Sequence, residues 1–203
     1  MTATTPTGVF NFKEWPAYRL AIWAVLINEA LLFGAVLAAG AFLRIGGTVP
    51  WPRPGDALAT GPVVLATLIL IGSSAALNES LDAMRRGNPA FSRRWLVWTL
   101  LAGALFLVIQ AYEWRDLIQT AVSLSPQAGT PLLANPWGAA SFLQVFFLAT
   151  GLHGLHVLMG LGLLAWLLAT GPQVDGGRLE SVTLYWHFVD FVWIFIVSAL
   201  YFI

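Results

Sequence analysis

The sequence predicts an all-α, polytopic membrane protein, a five-transmembrane-helix bundle. Three observations carry that prediction. Hydrophobic residues make up 58% of the 203-residue chain and charged residues only 10%, against about 25% charged in an ordinary soluble domain. Taking charges and Pro/Gly clusters as punctuation leaves five apolar stretches, near 19–43, 59–84, 93–121, 138–169 and 181–203. Each exceeds the roughly 20 residues that a helix needs to cross about 30 Å of hydrocarbon. Backbone groups cannot stay unpaired in lipid, so these stretches are helices rather than isolated strands. Many of the ten tryptophans lie near the ends of these runs, as interface belts do.

The same composition excludes several classes of function. Ten basic and ten acidic residues cancel, so no basic surface for nucleic acid is available. The absence of cysteine removes disulfides, thiolate metal sites, iron–sulfur clusters and cysteine nucleophiles. The linkers hold breakers such as Pro50, Pro52, Pro54, Gly87, Pro89, Pro126, Pro136 and Pro172, and none is long enough for a second folded domain.

Residues 1–18 are polar and read as a cytoplasmic N-terminal segment ahead of one transmembrane domain, 19–203. The first stretch is too long for a signal-peptide core and is expected to be an uncleaved span. Ala30, Gly34 and Ala38 recur along it every four residues, a spacing that lets helix backbones approach closely; Thr150 and Gly154 repeat the spacing in the fourth span. Glu29 falls near mid-bilayer, where a charge costs at least about 2.5–3.5 kcal/mol. Neither neighbouring turn offers a basic partner, and desolvation favours the neutral acid. Glu29 is therefore a proton-handling candidate, or else a protonated carboxyl hydrogen-bonded to another helix or to lipid.

The second span ends with Glu79, Asp82, Arg85 and Arg86 at helical spacing, a solvated charge cluster. With Arg93 and Arg94 these arginines form a basic hairpin suited to anionic headgroups or a partner subunit. In the third span Glu113 lies near the outer end, where an interfacial hydrogen bond is expected. The fourth span carries His153 and His156, three residues apart and so on one helix face. A tetrahedral metal site would need further ligands and only one more histidine exists, so interhelical hydrogen bonding is preferred to metal ligation. In the fifth span His187 and Asp190 share a face, with Glu180 two turns earlier. A carboxylate beside an imidazole stabilises the protonated ring and offsets part of the burial cost. A structural polar pair is preferred to a catalytic dyad for that pattern.

Charge asymmetry sets the expected orientation. One side holds Lys13, Arg19, Arg85, Arg86, Arg93, Arg94 and Arg178, the other Arg44, Arg53 and Arg115. The positive-inside rule then places the N-terminus in the cytoplasm and the C-terminus outside.

Taken together, the segments resemble subunit III of the haem–copper respiratory oxidases in its five-helix form. The residues that carry the resemblance are Tyr185-Trp186-His187-Phe188-Val189-Asp190-Phe191-Val192-Trp193 preceded by Glu180, Thr150-Gly151-Leu152-His153-Gly154-Leu155-His156-Val157, Gln110-Ala111-Tyr112-Glu113-Trp114, and Asn28-Glu29 before Leu-Leu-Phe-Gly. The resemblance implies a subunit of cytochrome c oxidase type in a bacterial inner membrane, with no cofactor or catalytic residue on this chain. Haem and copper are then expected on partner subunits. The implied partners are subunit I in direct contact, subunit II, other oxidase subunits and membrane lipids, bound phospholipid among them. The implied role is support of proton uptake and protection of the catalytic core during oxygen reduction. Glu29 matches the family's buried glutamate, which reacts with hydrophobic carbodiimides, and His153, His156, Glu180, His187 and Asp190 match its intramembrane polar set.

Two departures stand out. Seven-helix members hold lipid between two additional N-terminal helices and the other five, and this sequence is expected to lack those two. Leu77-Asn78-Glu79-Ser80 stands where many members carry paired histidines, so no role is carried over there. A quinol oxidase subunit III and the accessory protein of nitric oxide reductase share the resemblance. A stand-alone proton-coupled transporter is the alternative from another class, but it commonly shows repeat symmetry and broken helices, which are not visible here.

Overall fold

The computed structural model describes residues 17–52, 58–124, 139–171 and 176–202. Most of the segment expected at 1–18, with Lys13, and also Arg53, Pro54, Pro126, Pro136 and Pro172 lie outside the described residues. Among the described residues five helices follow one another: α1 Ala17–Gly46, α2 Thr60–Arg85, α3 Pro89–Leu124, α4 Ala140–Thr170 and α5 Gly176–Val197, the last winding into a π turn at Ser198–Phe202. Each is long and apolar enough to cross a membrane, and no strand occurs among the described residues. The fold is the all-α, five-span bundle that the composition predicts.

Local chemistry builds the α2–α3 corner. Gly87 takes φ +73°, the left-handed conformation that costs glycine nothing. The N–H of Asn88 then reaches the Ala83 carbonyl at 2.9 Å and that of Gly87 reaches Met84 at 3.0 Å, which closes α2 as a Schellman motif. Asn88 Oδ1 accepts the Phe91 N–H at 3.1 Å, an N-cap with Pro89 as the first helical residue. Because cap and proline start α3 at Pro89, Arg93 and Arg94 lie within its first turns instead of marking its beginning at 93.

α5 is the central helix and packs against α1, α2 and α4. In its most apolar stretch 56% of residues are buried, against 11% in α1. Its Trp186 is inserted between α3 and α4 in a slot that only glycine leaves open. A Cβ added at Gly103 would lie 2.6 Å from Trp186 Cη2, and one at Gly160 2.8 Å from its Cε3.

The close helix contact expected at Ala30, Gly34 and Ala38 is not made within this chain. These residues are exposed, and a Cβ on Gly34 would meet nothing within 4 Å. The stripe that α1 buries runs through Leu26, Phe33 and Gly40, one residue away and so turned by about 100°. Leu26 and Phe33 fill that face of α1, and Gly40 lets it approach α4, where an added Cβ would lie 2.9 Å from Val145 Cγ1.

Candidate functional site

Among the described residues the polar side chains of the spans fall into five groups. At the α1–α4 seam Glu29 Oε2 lies 2.8 Å from His156 Nε2, with only 14% and 10% of the two side chains exposed. The partner that the first span does not supply is thus on α4. The two atoms are not aligned as a linear hydrogen bond, which leaves Glu29 Oε2 buried without a well-aimed donor. On the other side of the ring, His156 Nδ1 lies 2.6 Å from the carbonyl of Leu152. A carbonyl oxygen only accepts, so Nδ1 carries a hydrogen. Nε2 and Oε2 would oppose lone pairs at 2.8 Å unless one proton lay between them, on the carboxyl or on the ring. The Tyr185 hydroxyl donates to the His156 carbonyl at 3.1 Å, and Phe33 meets the ring edge-on at 5.1 Å.

His153 shares a helix with His156 but faces elsewhere. It is fully buried, and neither ring nitrogen has a hydrogen-bond partner among the described residues. The interhelical hydrogen bond expected of it is replaced by ring packing. His153 stacks on Trp193 at 4.8 Å and 27° and meets Phe106 edge-on at 5.6 Å. A spacing of three residues leaves two side chains about 60° apart around the helix, enough to send one ring to α1 and the other into the aromatic core.

The α2–α5 seam carries a ladder of side-chain bonds. Trp193 Nε1 donates to Thr67 Oγ1 at 3.0 Å, and Trp186 Nε1 donates to Ser73 Oγ at 2.9 Å. Between and beyond them, Asp190 Oδ2 is bonded to Ser74 Oγ, Ser74 Oγ lies 2.9 Å from His187 Nδ1, and His187 Nε2 lies 2.9 Å from Asn78 Oδ1. His187 and Asp190 are therefore joined through a serine rather than directly. Thr67, Ser73 and Ser74 were not singled out from sequence, and Asn78 appeared there only as a departure with no role. Their spacing of one to two turns along α2, opposite Trp193, Trp186 and His187, is the signal of the seam.

Glu180 does not belong with the buried set. Half-exposed in the first turns of α5, it pairs with Arg19 at 3.0 Å and with Arg85 at 3.9 Å. Arg85 also meets Asp82 at 3.6 Å, and Arg86 meets Glu79 at 3.7 Å, which is the expected charge cluster extended across three helices. Arg93 donates to the Leu168 carbonyl at 2.8 Å near the end of α4, where a cation complements the helix dipole. Arg94 is exposed. Glu113 is half-buried rather than exposed at an interface: Gln110 Nε2 donates to its Oε2 at 3.0 Å and Tyr201 Oη at 2.8 Å. Tyr201 sits in the π turn, whose wider winding re-aims side chains relative to an α-helix. No group of three or more His, Asp or Glu is gathered as metal ligands among the described residues.

The family model for cytochrome c oxidase subunit III matches residues 7–203. A protein of Mycobacterium bovis named probable cytochrome c oxidase subunit 3 is 36% identical over 187 residues, covering 90% of this chain and 85% of its own. The Thermostichus vulcanus protein named cytochrome c oxidase subunit 3 is 31% identical over 204 residues, 97% of this chain and 93% of that one. A Staphylococcus haemolyticus protein named probable quinol oxidase subunit 3 is 30% identical over 211 residues, 100% of this chain and 97% of its own. With five membrane-length helices and a family match over nearly its whole length, the chain belongs to the cytochrome c oxidase subunit III family.

Proposed function

We propose that this subunit of a haem–copper oxidase serves a complex of cytochrome c oxidase type, holds no redox centre itself, and supports proton uptake and turnover stability of the catalytic subunit. The observation that carries the proton-handling part is the Glu29–His156 contact at 2.8 Å. The bond from His156 Nδ1 to the Leu152 carbonyl leaves one proton to be held between Nε2 and the carboxyl. A carboxyl held 2.8 Å from an imidazole at membrane depth can pass a proton to it once the two atoms align, which an isolated buried glutamate cannot do.

Subunit I is the direct partner in this reading and subunit II its neighbour, in a bacterial inner membrane with phospholipid around the bundle. The N-terminus and the α2–α3 corner lie in the cytoplasm, in keeping with the seven-to-three basic bias. Replacing Glu29 by Gln tests the role. Assembly and haem content should stay normal and electron transfer should persist, with the effect confined to proton uptake or to inactivation during turnover. Abolished oxygen reduction in a normally assembled, haem-replete complex would make the glutamate catalytic and refute this role.

A second reading replaces cytochrome c with a quinol as electron donor, favoured by the relative named for quinol oxidase at 30% identity. Oxidation of reduced cytochrome c by the purified complex supports the first reading. Oxidation of a quinol alone supports the second.

A further inference from the structure

We propose that Asp190, Ser74, His187 and Asn78 form a proton relay that connects a buried carboxyl with the surface of the α2–α5 seam. The four side chains make one line of three contacts across two helices. Exposure rises along the line: Asp190 is 8% exposed, Ser74 and His187 are half-buried, and Asn78 is exposed. Asn78 sits about two turns from the charged end of α2, so the line leads from the interior of the bundle toward the end that carries the α2–α3 corner.

This line holds a transferable proton. With Oδ1 as the Asn78 atom that faces the ring at 2.9 Å, an atom that only accepts, His187 Nε2 carries a hydrogen. The Ser74 hydroxyl has one hydrogen but two neighbours bearing lone pairs, Asp190 Oδ2 and His187 Nδ1. With an ionised aspartate and a neutral ring, one of these contacts would oppose lone pairs. One further proton must therefore reside on Asp190 or on Nδ1. In the inner arrangement Asp190 donates to Ser74 Oγ, and Ser74 donates to Nδ1. In the outer arrangement Nδ1–H donates to Ser74 Oγ, and Ser74 donates to the carboxylate.

The exchange balances with no other reactant. The Asp190 O–H bond breaks as Ser74 Oγ gains that proton, and the Ser74 O–H bond breaks as Nδ1 gains the other. One positive charge thereby moves from the buried carboxyl to the half-exposed ring, while heavy atoms stay within hydrogen-bond distance. The inner arrangement is the resting one. Asp190 Oδ1 is buried with no partner, which an ionised carboxylate tolerates far less than a neutral acid does.

The neighbouring rungs of the same seam behave differently. Trp186 donates to Ser73, and Trp193 donates to Thr67. Each is one donor on one acceptor, complete without a labile proton. Glu79, beside Asn78, is directed to Arg86 and stands outside the line. The relay rests on the reading of this chain as a proton-handling subunit for its purpose, but its existence is testable without oxygen chemistry.

The test is isotope-edited infrared spectroscopy of the intact oxidase carrying 13C-labelled aspartate. Asp190 is the one aspartate buried among the described residues. The expected result is a protonated-carboxyl C=O stretch that exchanges rapidly in D2O. Asp190→Asn should remove the band and keep the seam, because its amide N–H can donate to Ser74 in place of the acid. Ser74→Ala assigns the band independently: the stretch should shift as its hydrogen bond is lost, and its exchange should slow at least tenfold. An ionised Asp190 in the parent complex, or exchange in Ser74→Ala within twofold of the parent, would overturn the relay. Oxygen consumption by the same preparations reports separately on the oxidase reading, so the two can fail independently.

Discussion

His156 on α4 and Glu29 on α1 meet with Nε2 2.8 Å from Oε2, and the other ring nitrogen of His156 is already bonded to the carbonyl one turn before it. That contact ties α1 to α4 through polar groups at membrane depth. It also fixes the tautomer: with a hydrogen on Nδ1, Nε2 is the nitrogen that gives or takes the proton of Glu29.

A hydrophobic carbodiimide, which attacks protonated carboxyls in apolar surroundings, should therefore modify Glu29 in the assembled complex. In Glu29→Gln the labelling should disappear, while the amide N–H can still donate to Nε2, for a stability change of under about 1 kcal/mol. His156→Leu should cost more, about 1–3 kcal/mol, because the carboxyl is left without a partner. Peptide mass mapping of the label, with thermal denaturation of the complex, checks both.

Glu180 should behave in the opposite way. It is half-exposed between Arg19 and Arg85, and exposed ion pairs contribute about 0–1 kcal/mol. Glu180→Gln should leave stability within that range and show a weaker salt dependence than the parent. The hydrophobic carbodiimide should not label this residue. Labelling of Glu180 in preference to Glu29 would reverse the assignment of which carboxyl is buried.

Much of this architecture was legible in the sequence because the signals are local. The five spans follow from run length, and Gly87 and Pro89 mark the α2–α3 corner as a break, but that break alone does not reveal the Asn88 cap that starts α3 at Pro89 instead of 93. Glu29 could be marked as costly at its depth, but its partner lies three helices away and no spacing rule reaches that far. Glu180 was grouped with the buried set through its place in a motif, whereas its position in the first turns of α5 puts it at the charged end. Ser73 and Ser74 gave no signal of their own. Short hydroxyls are common in membrane helices, and their role appears only when Trp186, His187 and Asp190 arrive from α5.

The slot for Trp186 is the tightest packing contact to test. A methyl at Gly103 or Gly160 would fall 2.6–2.8 Å from the indole, and overpacking of this kind typically costs about 1–3 kcal/mol. Gly160→Ala should lower the thermal midpoint of the complex. Combining it with Trp186→Phe, which vacates the slot, should cost less than the sum of the two single changes. Strict additivity would mean that the ring and the glycine do not compete for the same space.

Orientation is testable with reporter fusions in the α2–α3 corner, at residues 86–92. A cytoplasmic signal is expected from the concentration of Arg85, Arg86, Arg93 and Arg94 there. A periplasmic signal would invert the bundle and place the basic cluster on the outer face.

The most direct measurement compares the oxidase purified with this chain against the same complex depleted of it, with proton uptake and activity followed through many turnovers. Haem content should be unchanged and initial oxygen reduction retained, with slower proton uptake and faster loss of activity in the depleted complex. Loss of haem on depletion, or proton uptake and turnover lifetime unchanged without the chain, would contradict the proposed role.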